Sequence, residues 1–182
     1  MTVGELVHHT AVRLSAPELL SEDPGQEARE LVAHARPGLR VDLADVSSEA
    51  IELARENAER LIPGRARCYA GDLFQSLPRG RRYAIVTANP PWVPDGTPLP
   101  EEVINHEPPV SFFGGPDGLD VVRRLIRELP EWLAPGGVYA QECDPSQVDK
   151  VIGLLTSAGL RDPRAHPDKE GVRRVVSAQR HG

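Results

Sequence analysis

Cysteine, lysine, methionine and aromatic residues are all scarce in this 182-residue chain, which has two cysteines, one methionine, two tryptophans, three tyrosines and three phenylalanines. Cys68 and Cys143 lie far apart and form no C-x-x-C pair. That counts against a disulfide framework and a zinc ribbon, and makes a reducing, cytoplasmic setting the default. No apolar run approaches the roughly 18 residues of a membrane helix. The opening MTVGELVHHT lacks the basic and then apolar segments of a secretory leader. Positive charge is short as well: 21 Lys+Arg face 27 Asp+Glu, for a net charge of −6. Such a balance argues against a basic nucleic-acid glove and against stable nucleic-acid binding. Only two of the cations are lysine, which fits a GC-rich coding bias. His8-His9 has no companions with which to make a metal site.

What is present suffices for one domain, at about 150 residues per domain. Apolar residues make up 40% and charged residues 26% of the chain, an ordinary soluble composition. Residues 1–38 form a weakly patterned, charge-rich segment ahead of a core at 39–182. In the core, strand and helix signals alternate, which predicts an α/β architecture. Residues 39–46 alternate like a strand. Ser47 and Ser48 offer caps for a helix in which Ile51, Ala54, Ala58 and Leu61 recur at helical spacing. Glu56 and Arg60 are placed for an i,i+4 pair. Pro63-Gly64 stops that helix. Residues 65–70 predict a short strand before the Gly71-Asp72 turn. Residues 83–88 predict a buried strand that must end at Asn89-Pro90-Pro91. A long loop runs from Trp92 to about Gly118, of the kind that carries function. A helix is expected at 119–129, a strand at 138–142 after Pro135-Gly136-Gly137, and a helix opened by Asp144-Pro145 and closed by Gly159. Residues 172–178 predict a last strand. Crossover helices predict parallel strands.

Three features fall just beyond strand ends, where open α/β sheets bind ligands. They are Asp45, Asp72 with Leu73, and Asn89-Pro90-Pro91-Trp92. An acid such as Asp45 can accept both hydroxyls of a ribose; it can equally cap the following helix. In Asn89-Pro90-Pro91-Trp92 the prolines fix the backbone and remove N–H donors, which leaves the Asn89 and Pro90 carbonyls able to accept. With the Asn89 side chain they can hold the two protons of a planar NH₂ group, and Trp92 can cover its plane. A proline-rich loop with a packed tryptophan is the plainer alternative.

From about Ala33 to Val176 the chain resembles the release-factor glutamine methyltransferases, the HemK or PrmC group. The resemblance rests on VDLADVSSEAIELARENAERL (41–61), GDLF (71–74), NPPW (89–92), HEPP (106–109), FGGPDGLD (113–120) and LAPGG (133–137), in the family's order and at about its spacing. It implies a Rossmann-like methyltransferase fold, mainly parallel, with helices on both faces, and S-adenosylmethionine as cofactor. By that likeness Asp45 holds the ribose, Asp72 and Leu73 border the adenine, and Asn89 lies between cofactor and substrate. Asn89, Pro90, Pro91 and Trp92 form the catalytic motif. Asn89, Pro90 and Trp92 hold the acceptor amide, and His106 and Glu107 stand as further substrate contacts. The implied reaction methylates a glutamine amide of a protein, with a peptide chain release factor as the family's substrate. No metal or covalent nucleophile is needed for it. The family usually has tyrosine where this chain has Trp92.

Two departures accompany the resemblance. Residues 13–35, where the family has an acidic, glycine-rich cofactor loop, contain only Gly25. Weak cofactor binding is the expectation, with Ala11 to Ser15 as a replacement first strand. The family's N-terminal helical domain also has no counterpart here. Two other readings follow: a methyltransferase of exocyclic amino groups in nucleic acids, which shares the Asn-Pro-Pro-aromatic motif, and a catalytically impaired binding module with the same fold.

The remaining signals have plainer readings beside them. His106 and Glu107 can be loop residues satisfied by backbone. Gly114, Gly115 and Gly118 serve the turn before the next helix. Arg79, Arg81 and Arg82 read as a solvated face. Cys143 reads as a small buried apolar group, and Phe112, Phe113 and Trp132 as packing residues.

Overall fold

A computed structural model describes residues 40–101, 105 and 108–182. The altered loop at 13–35, the replacement strand Ala11 to Ser15, His106 and Glu107 lie outside the described residues.

Strand β1 (Val41–Asp45) leads into helix α1 (Ser48–Leu61), and β2 (Ala66–Ala70) returns beside β1 in parallel. Ser47 caps α1, its hydroxyl accepting the Ala50 N–H at 3.1 Å. Val41 and Leu43 pack on Ala58 of α1 and on Ile62 just past its end, while Ala44 joins the main core. Since strand neighbours point to opposite faces, α1 covers one face of β1 and the main core covers the other. The expected Glu56–Arg60 pair is not formed; Arg60 turns to the Asn57 side chain instead. An exposed ion pair is worth too little to fix such a choice.

A four-stranded sheet follows, in the order β3-β4-β6-β5. It comprises β3 (Tyr83–Ala88), β4 (Leu133–Glu142), β5 (Arg161–Pro167) and β6 (Arg173–Gln179). Helix α2 (Asp120–Trp132) is the crossover from β3 to β4, and these two strands are parallel. Val122, Leu125, Ile126 and Leu129 of α2 are buried, the i, i+3, i+4, i+7 stripe of a helix on a sheet. Helix α3 (Val148–Ser157) buries Val148, Val151 and Leu155 in the same core. Gly159, at φ +79°, ends it.

The sequence reading needs two corrections here. Residues 161–167 are a strand that it did not foresee, and β6 runs antiparallel to both β4 and β5. A hairpin rather than a crossover links β5 to β6, so the parallel rule does not reach the last strand. The strand expected at 138–142 already begins at Leu133, which pairs with Tyr83. Pairing then jumps to Val138 opposite Ile85, so the Pro-Gly-Gly turn is taken up as a bulge within β4.

Asp42 ties the two sheets together. Its carboxylate is only 3% exposed. One oxygen accepts from Arg81 Nη1 at 2.6 Å and from the Tyr83 hydroxyl at 2.7 Å. Arg81 is therefore an anchor and not a freely solvated cation. Asp42, near the start of β1, thus meets Tyr83 at the start of β3; β1 and β2 are parallel to each other, as are β3 and β4.

Candidate functional site

Asp45 is the last residue of β1, and Asp72 and Asn89 lie just past the ends of β2 and β3. The Gly71 N–H donates to the Asp45 carbonyl at 2.8 Å, which brings the exit of β2 against the exit of β1. The Asp45 side chain is 7% exposed. Its Oδ1 accepts the Ser47 N–H at 2.7 Å, so it shapes the entry to α1. Exposed Val46 beside it gives an apolar margin.

The loop after β2 is held tightly. A Cβ on Gly71 would lie 2.7 Å from Ser76 Cβ. Leu73 has φ +49°, a conformation that a branched side chain adopts only when its surroundings insist. Its side chain is buried in the main core, which supplies that constraint. Asp72 is turned to α2, where its carboxylate pairs with Arg124. The Leu73 side chain thus packs in the core and the Asp72 side chain is paired, so neither side chain is open to a ligand and only their backbone is left for that role. A buried acid with an adjoining turn and an apolar margin fits the sugar end of a nucleoside.

At the end of β3, Pro90 and Pro91 are buried and Asn89 and Trp92 half-buried. Among the described residues nothing donates to the Asn89 carboxamide oxygen or to the backbone carbonyls of Asn89 and Pro90. The next stretch is fully engaged. Val93 N–H donates to Phe112 O at 2.8 Å, and Gly114 N–H returns to Val93 O at 2.9 Å. The long loop is thereby folded back on itself, with a short 3₁₀ turn at Pro109–Ser111. Gly114 is needed because a Cβ there would come 2.5 Å from the Pro91 carbonyl oxygen. Gly118, at φ +73°, has no room either: its Cβ would overlap the Trp92 carbonyl. These glycines start the next helix as expected, and they also let two loops meet backbone to backbone.

The charged groups near this loop are neutralised locally. Asp117 accepts from both terminal nitrogens of Arg123, at 2.6 and 2.8 Å. That guanidinium lowers its pKa to about 2. Burial, with Asp144 and Glu142 alongside, pushes the Cys143 thiol up to about 12. It packs as an apolar group at 1% exposure. Trp132 stacks on Phe74 and Tyr83, and Phe112 meets Phe113 edge-on.

No family model matches the chain. It is 35% identical over 150 residues to the release factor glutamine methyltransferase of Geobacter sulfurreducens, covering 81% of this chain and 52% of that protein. It is 36% identical over 146 residues to the ribosomal protein uL3 glutamine methyltransferase of Burkholderia pseudomallei, covering 71% and 47% respectively. The chain is a homologue of the release factor glutamine methyltransferases. It spans about half the length of the curated relatives it matches. A solved methyltransferase from Pyrococcus furiosus superposes with a TM-score of 0.60 at 16% identity, over 85% of this chain and 70% of that one. The Rossmann-like methyltransferase fold read from the sequence is therefore the fold of this glutamine methyltransferase homologue.

Four contacts of this homologue were not foreseen. Asp42 reaches Arg81 and Tyr83, Arg124 reaches Asp72, and Gln147 reaches the Trp92 carbonyl. All join residues about 40 or more positions apart, where local spacing carries no signal.

Proposed function

We propose that the chain is an S-adenosylmethionine-dependent methyltransferase that methylates the side-chain amide of a protein glutamine, with a release factor as substrate. The observation that carries this reading is the set of three acceptors at Asn89 and Pro90 that take no hydrogen bond among the described residues, beside half-buried Trp92. An amide nitrogen is a poor nucleophile because its lone pair is shared with the carbonyl. Asn89 and Pro90 oxygens accept its two N–H protons, which returns density to nitrogen and fixes its direction. Trp92 covers the flat face of the amide. Orientation of this kind lowers a barrier by several kcal/mol. The acceptors bind more strongly as positive charge grows on nitrogen. The cofactor supplies an electrophilic methyl group on a sulfonium. Asp45 is the residue to hold its ribose, with the Asp72–Leu73 backbone beside the base. Both named relatives are glutamine methyltransferases of translation proteins, which supports a protein substrate.

The test is transfer of labelled methyl from S-adenosylmethionine to purified release factor, with ribosomal protein uL3 as a second acceptor, followed by mapping of the labelled residue. Label on a glutamine is the expected result. Asn89→Ala should lower the rate about 100-fold, as for a lost preorganised polar contact, with little change in cofactor affinity. An unchanged rate in that variant would place the chemistry elsewhere.

A further inference from the structure

We propose that Gln147 is a positioning residue, which holds the Trp92 carbonyl so that the Asn89 and Pro90 oxygens stay presented to the acceptor amide. This rests on the reading of the Asn89–Trp92 motif given above.

Gln147 lies on a 3₁₀ turn, Pro145–Gln147, that opens α3. The turn is fixed by Asp144, whose Oδ1 accepts the Ser146 N–H at 2.8 Å and whose carbonyl accepts the Gln147 N–H at 2.9 Å. The Gln147 side chain then points inward and is 4% exposed. Its Nε2 donates to Trp92 O at 2.9 Å and to Asp117 O at 3.2 Å. One amide group thus joins the motif loop to the glycine loop at the place where Gly118 lets them touch. Its Oε1 has no hydrogen-bond partner among the described residues. An unmatched buried oxygen opposes stability, and an apolar side chain of similar size would avoid it. The two N–H groups are what an apolar substitute lacks. They act on the Trp92 carbonyl, the last of the motif, after backbone carbonyls of Asn89, Pro90 and Pro91 that accept no hydrogen bond among the described residues.

The experiment uses the full chain with Trp132→Phe as background, so that Trp92 is the sole tryptophan. Gln147→Met keeps the size and removes the donors. Gln147→Glu removes the donors while the carboxylate is ionised and restores one O–H donor when it is protonated. A buried carboxylate facing two carbonyls titrates above the usual range. The charged groups around it include Asp117, held ionised by Arg123 with Lys150 also acting on it, and Asp144 in the cap. Expected for Gln147→Met is greater acrylamide quenching of Trp92, a fall in kcat of about 10- to 100-fold, and unchanged KM for S-adenosylmethionine. For Gln147→Glu, the same loss at pH 8 should reverse toward pH 5.5, in both Trp92 quenching and kcat, relative to the Gln147 parent. Unchanged Trp92 quenching in Gln147→Met overturns the proposal. So does a fall in kcat with no acid recovery in Gln147→Glu, which also decides the matter if Gln147→Met does not fold. If the parent methylates neither acceptor, the proposed function fails, and Trp92 quenching still tests the hold of Gln147 on the loop.

Discussion

The two sheets are stabilised by different means. The β3-β4-β6-β5 sheet, with α2 and α3, rests on a large apolar cluster that includes Leu119, Leu125, Leu129, Leu133, Tyr139 and Val176. Among the described residues, the cluster between the β1-β2 pair and α1 is smaller, with Val41, Ala58 and Ile62 buried in it. Its connection to the larger sheet depends heavily on a polar anchor, Asp42 with Arg81 and Tyr83. The proposed acceptor motif grows from the first unit and Asp45 from the second. Among the described residues, the proposed acceptor motif thus grows from the unit with the larger apolar cluster and the proposed ribose site from the unit with the smaller one.

The widest separation should come from core deletions. Leu129→Ala should cost about 2–5 kcal/mol of global stability, because a fully enclosed site relaxes little. Ile62→Ala should fall near the lower end of that range and loosen chiefly β1 and β2. Chemical denaturation gives the first value and amide exchange locates the second. Equal global losses with no local signature would erase the distinction.

Removing the anchor comes next. Asp42→Ala leaves the Tyr83 hydroxyl and the half-exposed Arg81 without their acceptor, and should cost about 2 kcal/mol. Exchange protection should fall at β1 amides and hold at β4. A uniform fall across both sheets would mean that they open as one unit.

Ligand affinity gives a smaller effect. With residues 13–35 poor in glycine, the methionine end of the cofactor has fewer backbone partners, so adenosine should bind within about tenfold of S-adenosylmethionine. Asp45→Ala should weaken both alike. Calorimetry on the two ligands checks this, and a strong preference for S-adenosylmethionine would show that residues 13–35 make the missing contacts in another way.

The smallest effect is on acid stability. Asp117 has a pKa lowered to about 2 by Arg123, so its folded value lies below the unfolded one. Its contribution is present above about pH 4 and is lost as pH falls through 2. Asp117→Asn should flatten melting temperature against pH in that window and change little at pH 7.

The sequence was most informative where a signal is local. The alternation of 41–45, the stripe of Val122, Leu125, Ile126 and Leu129, and the prolines at 90 and 91 each report their own backbone. Strand β5 was hidden because RDPRAHP has two prolines and little apolar alternation. It is an edge strand whose only strand partner among the described residues is β6, and edges tolerate proline. At the candidate site, the residues flanking the strand ends were legible and their partners were not. Whether Asp72 faces a ligand or Arg124 depends on where α2 lands. Gln147 is read from the chain as a polar residue before an apolar helix, and only packing turns it inward.

The sheet order has a consequence for how this chain is made. Strand β6 lies between β4 and β5, although it follows both in sequence. Ala140 of β4 finds its partner in Ser177. As the polypeptide emerges from the ribosome, β3 and β4 can pair early, and β4 then waits with a bare flank until its neighbour has been synthesised. Chains grow at about 5–20 residues per second, so that interval lasts seconds. An open strand flank invites pairing with other chains. The short-lived hazard for nascent copies is thus association through β4, and a chaperone that covers this flank would serve the chain best before its last forty or so residues appear.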